Sequence, residues 1–186
     1  MAGFGAVLDA CVLVPISLAD TLLRLAERDV YRPVWSEAIL AEVRRAVLEV
    51  HPDIDPGRVD ARLRSMNAAF EDACVEGWEP LADGIELPDP QDRHVVAAAI
   101  RGRAELVVTA NLVDFPDGSL SPLGLHALSP DDFLLDALDL SPRAMLDALA
   151  SQAADTRRPP LELPQLVDTL ERAGAPRFAA GVRAVL

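Results

Sequence analysis

Short aliphatic runs separated by longer stretches of helical period constrain this chain most. Residues 6–14 (AVLDACVLV) read as a buried strand ended by Pro15. Residues 30–35 form a short extended piece, 106–109 are the clearest second strand, and 123–128 a short third. Between them Leu18, Leu22, Leu25 and Ala26 recur at helical spacing. Ser36 caps a helix with the stripe Ile39, Leu40, Val43 and Val47. Asp55-Pro56 opens another, carried by Val59, Leu63, Met66, Phe70 and Ala73 and ending before Gly77. After a loop at 77–91, Asp92 opens a helix through Val95, Val96, Ala99 and Ile100, stopped at Gly102. Strands joined through helices predict an α/β fold with a parallel sheet and right-handed crossovers. The site of such a sheet lies beyond the carboxyl ends of its strands.

From Ser129-Pro130 onward the pattern is helical only. Starts fall at Ser129-Pro130, Ser141-Pro142, Pro164 and Pro176, with a break at 157–160. The expected organisation is a domain over 1–130 and a helical C-terminal extension over 131–186.

Apolar residues make up 51% of the 186, enough for a sizeable core. All 17 basic residues are arginine, which excludes Schiff-base and P-loop lysine chemistry. Net charge is −13, and the first 128 residues hold 21 acids against 11 arginines. A broad basic nucleic-acid face is therefore not expected. Cys11 and Cys74 have no metal-ligand spacing, and Cys11 reads as a small buried hydrophobe. The N-terminus lacks a basic leader region, and no apolar run reaches the ~18–20 residues of a membrane span, so a cytoplasmic protein is expected.

Four acids stand out by position. Asp9 lies in or at the end of the first strand, and Glu42 borders a helix's apolar face between Ala38 and Ala46. Asp92 starts a helix, and Asp114 sits in the turn after the strand ending at Thr109. A carboxylate in an apolar strand is costly to bury alone, and clustered carboxylates repel. A divalent cation resolves both, and oxygen ligands without a Cys or His cluster suit Mg²⁺ or Mn²⁺. Each acid also has an ordinary reading. Asp9 could be bonded to backbone N–H groups, Glu42 solvated, Asp92 a helix cap and Asp114 a turn former.

LDACVLVP at 8–15, SEAILAEVRR at 36–45, LPDPQDRHVVAAAI at 87–100 and VVTANLVDFP at 107–116 occur in that order. The ordered set resembles the PIN-domain nucleases, especially the bacterial VapC-type toxins, over roughly residues 5–130. The resemblance implies an α/β/α sandwich with a central parallel sheet, and a Mg²⁺- or Mn²⁺-dependent endoribonuclease. On it, Asp9, Glu42 and Asp92 match the first three acids. Thr109, Asn111, Asp114 and Phe115 match a TxNxxDF pattern in which many relatives carry an acid where Asn111 stands. Asp114 is then the fourth acid, while Thr109 and Asn111 orient ligands or phosphate. The resemblance also implies an RNA substrate, a cognate antitoxin that inserts a basic segment into the acidic site, and pairing into a homodimer.

Asp89 is a secondary site candidate, although Pro88-Asp89-Pro90 favours simple loop chemistry. His94 reads as packing or hydrogen-bonding rather than ligating, Asp117 as a turn residue and Phe115 as core. Arg44, Arg45, Arg58, Arg62 and Arg64 could contact phosphate, or form a solvated, ion-paired face. Two rivals stay open. One is a non-catalytic PIN-like module acting through protein or RNA contacts. The other is an aspartyl-phosphate phosphatase on Asp9, against which stand Cys11 in place of a second acid and the lack of lysine.

Overall fold

The computed structural model describes residues 3–156 and 160–186. Four strands, β1 (Gly5–Leu8), β2 (Arg32–Val34), β3 (Leu106–Val108) and β4 (His126–Leu128), form one parallel sheet in the order β2-β1-β3-β4. β1 and β3 are central, and their side chains Ala6, Val7, Leu8, Val107 and Val108 are fully buried. Near-continuous apolar runs are what a sheet covered on both faces requires.

The first strand is shorter than the apolar run predicts. It stops at Leu8, because the Asp9 carboxylate accepts the Ala10 N–H and turns the chain into α1 (Ala10–Leu13). Val12 and Leu13 remain buried, now from a helix. Periodicity alone cannot separate these two ways of burying a short apolar run.

α2 (Ile16–Glu27) leads into β2, and α3 (Glu37–Val50) starts at Ser36, whose hydroxyl accepts the Ile39 N–H. α4 (Pro56–Ala69) is capped by Asp55 with proline in its first turn. It ends at Ala69, earlier than the spacing predicts. Phe70 leaves the helix to pack edge-on against Trp35 at 5.8 Å, and Cys74 then bridges to Trp35 beside β2. α5 (Glu79–Ala82) interrupts the expected loop. A 3-10 turn (Pro90–Asp92) precedes α6 (Arg93–Arg101), which packs across β1 and β3 with α3 beside it. After β3 come a second 3-10 turn (Leu112–Asp114), α7 (Asp117–Leu120) and a third 3-10 turn (Ser121–Leu123). Asp117 thus begins a short helix rather than closing a turn, while Phe115 is core as expected.

α8 (Pro130–Leu140) is capped by Ser129, and α9 (Pro142–Asp155), α10 (Leu163–Arg172) and α11 (Pro176–Val185) follow. The break expected at 157–160 falls on residues of which 157–159 lie outside those described. α8 packs against β4, α9 runs against α2, and α11 packs against α8 and α10. Phe133 of α8 meets Tyr31 edge-on at 4.9 Å. Gln152 of α9 is buried, accepting from the Thr21 hydroxyl at 2.6 Å and donating to the Ser17 carbonyl at 2.8 Å. The C-terminal helices therefore share one core with the sheet. The whole is an α/β/α sandwich with a helical appendage.

Candidate functional site

The parallel register sets the geometry. Leu8 of β1 lies opposite Val108 of β3, so the next residue on each strand, Asp9 and Thr109, emerge side by side at the carboxyl edge. The Asp9 N–H donates to the Val108 carbonyl at 3.1 Å, and the Thr109 hydroxyl donates to Asp9 Oδ2 at 2.7 Å. Asp9 is 8% exposed, and its Oδ1 accepts the Ala10 N–H at 2.7 Å. These bonds meet much of the cost of burying the carboxylate.

Cys11 is a third donor to Asp9, which corrects its reading as a mere small hydrophobe. Its Sγ lies 3.1 Å from Asp9 Oδ2 and 3.5 Å from the Thr109 hydroxyl, and it accepts the Ala110 N–H at 3.2 Å. Burial, then the Asp9 charge, push its thiol up to about 12, so at neutral pH it is a donor and no thiolate ligand.

Asp92 ends the turn before α6 but makes no capping bond. The capping falls to Asp89, whose Oδ1 accepts the Gln91 N–H at 2.8 Å. The cap reading thus belongs to Asp89, and the Asp92 carboxylate is left free of it. Burial, then the charges of Asp9, Asp89 and Asp114, raise Asp92 to about 6 against an opposing effect of His94. Asp114 ends the 3-10 turn after β3, and the Asn111 side-chain amide donates to its Oδ2. The Asn111 N–H donates to the Thr109 hydroxyl at 3.0 Å, which ties that turn to the strand edge.

Asp9, Asp89, Asp92, Thr109, Asn111 and Asp114 are therefore gathered at the carboxyl ends of β1 and β3. Glu42 stands one step away. It is half-buried on α3 and is not among the charges that act on Asp92. Its carboxylate lies 3.4 Å from His94 Nε2, an ion-pair distance without hydrogen-bond alignment. His94 Nδ1 is fixed 2.6 Å from the Gln91 carbonyl. His94 packs and hydrogen-bonds as expected, and it also links Glu42 to the segment bearing Asp92.

Of the five arginines, two are engaged within the fold, and Arg45 lies 4.0 Å from Glu42. Arg62 donates to the Leu13 carbonyl at 2.6 Å, and Arg44 pairs with Asp60 at 2.6 Å. Arg58 and Arg64 are exposed.

The donor set fits a hard cation. Its members are carboxylates, a hydroxyl and an amide, and Asp92 is crowded by three like charges. Among the described residues, no three His, Cys, Asp or Glu side chains are grouped tightly enough to hold one ion directly. Carboxylate, hydroxyl and amide oxygens are the donors of Mg²⁺, which keeps several waters and uses one or two carboxylates, rather than of a closed zinc-type cage. Among the described residues, no helix is long and apolar enough to cross a membrane.

Comparisons with known proteins agree with this layout. Residues 5–112 match the family model described as PIN domain, and residues 130–184 match one described as VapC50 C-terminal domain. The chain is 46% identical over 93 residues to a Mycobacterium tuberculosis protein named "Putative ribonuclease VapC50". That match covers 50% of this chain and 54% of that protein, so the chain spans about half of its relative's length. No solved structure matches the chain.

Proposed function

The chain belongs to the PIN-domain family, and on that premise we propose that it is a divalent-metal-dependent endoribonuclease, the toxin of a toxin–antitoxin pair. The observation that carries this is the crowding of Asp92 by Asp9, Asp89 and Asp114 beside the ends of the two central strands. Three like charges around a half-buried acid favour either a proton or a cation there.

Asp9, Asp92 and Asp114 would hold Mg²⁺ or Mn²⁺, in part through the waters the ion keeps, with Glu42 reaching the site from α3. Such an ion supplies positive charge against the phosphate and makes a water nucleophilic at neutral pH. The protein's own groups set the stage. Thr109 and Ala10 fix the rotamer of Asp9. Asn111 holds Asp114 and has a second amide hydrogen left for a phosphate oxygen. Asp92 carries its negative charge above about pH 6. With a net charge of −13, the protein engages RNA locally at the site rather than along a basic groove. The same acidity suits a basic inhibitory partner that places an arginine among these carboxylates. A homodimer would extend the RNA path, and its test is the solution mass.

RNA cleavage by the purified protein tests the reading. Cutting with Mn²⁺ or Mg²⁺ and loss of cutting in EDTA are expected. Equal cutting in both conditions overturns it. A module that binds without cutting is the second reading, favoured by the lack of a tight three-ligand cluster among the described residues. Metal binding and RNA retention without any cleavage would select it.

A further inference from the structure

We propose that Cys11 is a positioning residue of the metal site, with its thiol tying the Asp9 carboxylate to the loop that carries Asn111 and Asp114. The proposal rests on the metal-site reading above and deepens it. The Sγ donates to Asp9 Oδ2 at 3.1 Å and accepts the Ala110 N–H at 3.2 Å. Asp9 Oδ2 also accepts the Thr109 hydroxyl at 2.7 Å, and Thr109 in turn accepts the Asn111 N–H at 3.0 Å. One carboxylate oxygen is thus held by two side chains, each of which also receives a backbone N–H from the segment 110–111.

Cys11 lies in the first turn after β1, whereas Ala110 follows β3, and the sheet hydrogen bonds end at Val108 and Thr109. Beyond that edge, the Cys11 and Thr109 side chains are what couple the two strand ends. Thr109 is itself on β3's side of the seam, so Cys11 is the partner reaching across from β1's side. Without the thiol, Asp9 keeps the Ala10 and Thr109 bonds, but its Oδ2 loses one of its two side-chain donors. The loop loses its tie at Ala110. Partners of this kind, one shell beyond the metal, set the orientation of the ligands rather than the chemistry.

A hydroxyl at position 11 can repeat both bonds, and a methyl or isopropyl group can repeat neither. The test is Mn²⁺ titration of the full chain and its Cys11→Ser, Cys11→Val and Cys11→Ala variants, with amide exchange at Ala110 in metal-free protein. Cys11→Ala and Cys11→Val should weaken Mn²⁺ binding by roughly 10–100-fold. Cys11→Ser should stay close to the parent. Ala110 exchange should speed up in the Ala and Val variants and return in the Ser variant. Cleavage lost at limiting Mn²⁺ should recover at saturating Mn²⁺, which a general loss of folding would not do. If Cys11→Ala and Cys11→Val bind Mn²⁺ as the parent does, the positioning role is overturned while the metal site stands. If the parent itself binds no Mn²⁺, the metal reading fails and the positioning role with it.

Discussion

Asp92 is the residue on which the charge balance of the site turns. Its carboxyl is raised to about 6 by burial and by Asp9, Asp89 and Asp114, well above the ordinary value near 3.8. In metal-free protein the native state therefore binds a proton at Asp92 more tightly than the unfolded chain does. Asp92's contribution to stability is full below about pH 4 and is lost as pH rises through about 6. Asp92→Asn should remove this loss, so the variant gains thermal stability relative to the parent as pH passes from 5 to 7. Melting curves in EDTA at the two values check this, and equal differences at both would contradict it. A divalent ion bound there would compete with the same proton. Mn²⁺ affinity should rise from pH 5 to about 7 and then level, with the slope reduced in Asp92→Asn. The identity of Asp9, Asp92 and Asp114 as notable acids was legible from their places in the pattern. The roles of Asp89 as cap, Cys11 as thiol donor and His94 as neighbour of Glu42 were not. They depend on hydrogen-bond directions between segments far apart in sequence, which periodicity does not carry.

At the scale of elements, most helix starts were readable because their caps are local chemistry. Ser36, Asp55 and Ser129 each accept an N–H from their own first turn, as the sequence predicts. Ends were less readable where a distant partner decides them. β1 yields to Asp9's cap after Leu8, and α4 yields to the pairing of Trp35 with Cys74. The close approach of α6 to β2 is another tertiary constraint. A Cβ at Gly102 would stand 2.6 Å from a Val34 methyl and 3.1 Å from the Ala98 carbonyl. Gly102→Ala should therefore destabilise the protein by about 1–3 kcal/mol, from the shift that overpacking forces. Urea denaturation measures it, and an unchanged midpoint would show that β2 can move aside freely.

For the whole molecule, the C-terminal helices are part of the core rather than a tethered module. Phe133 packs on Tyr31, Gln152 satisfies Thr21 from across the interface, and buried Asp131 accepts the Arg177 and Phe178 N–H groups within the extension. Removing residues 131–186 exposes an apolar face on α2 and β4, so the truncated chain should associate or aggregate where the full chain does not. Size-exclusion chromatography of the two decides it, and a monodisperse, folded truncation would make the extension a separable unit. The helical nature of this region was readable from its proline-led starts, but its docking was not, since the contacts span more than 100 residues.

The most direct test of the central claim is the rate of RNA cleavage at saturating Mn²⁺ by the parent, Asp9→Asn and Asp92→Asn, each repeated in EDTA. Cleavage by the parent in Mn²⁺ alone, with each variant slower by at least about 100-fold, is the predicted result. Cleavage that survives either substitution undiminished, or that persists in EDTA, would contradict a carboxylate–metal nuclease at the ends of β1 and β3.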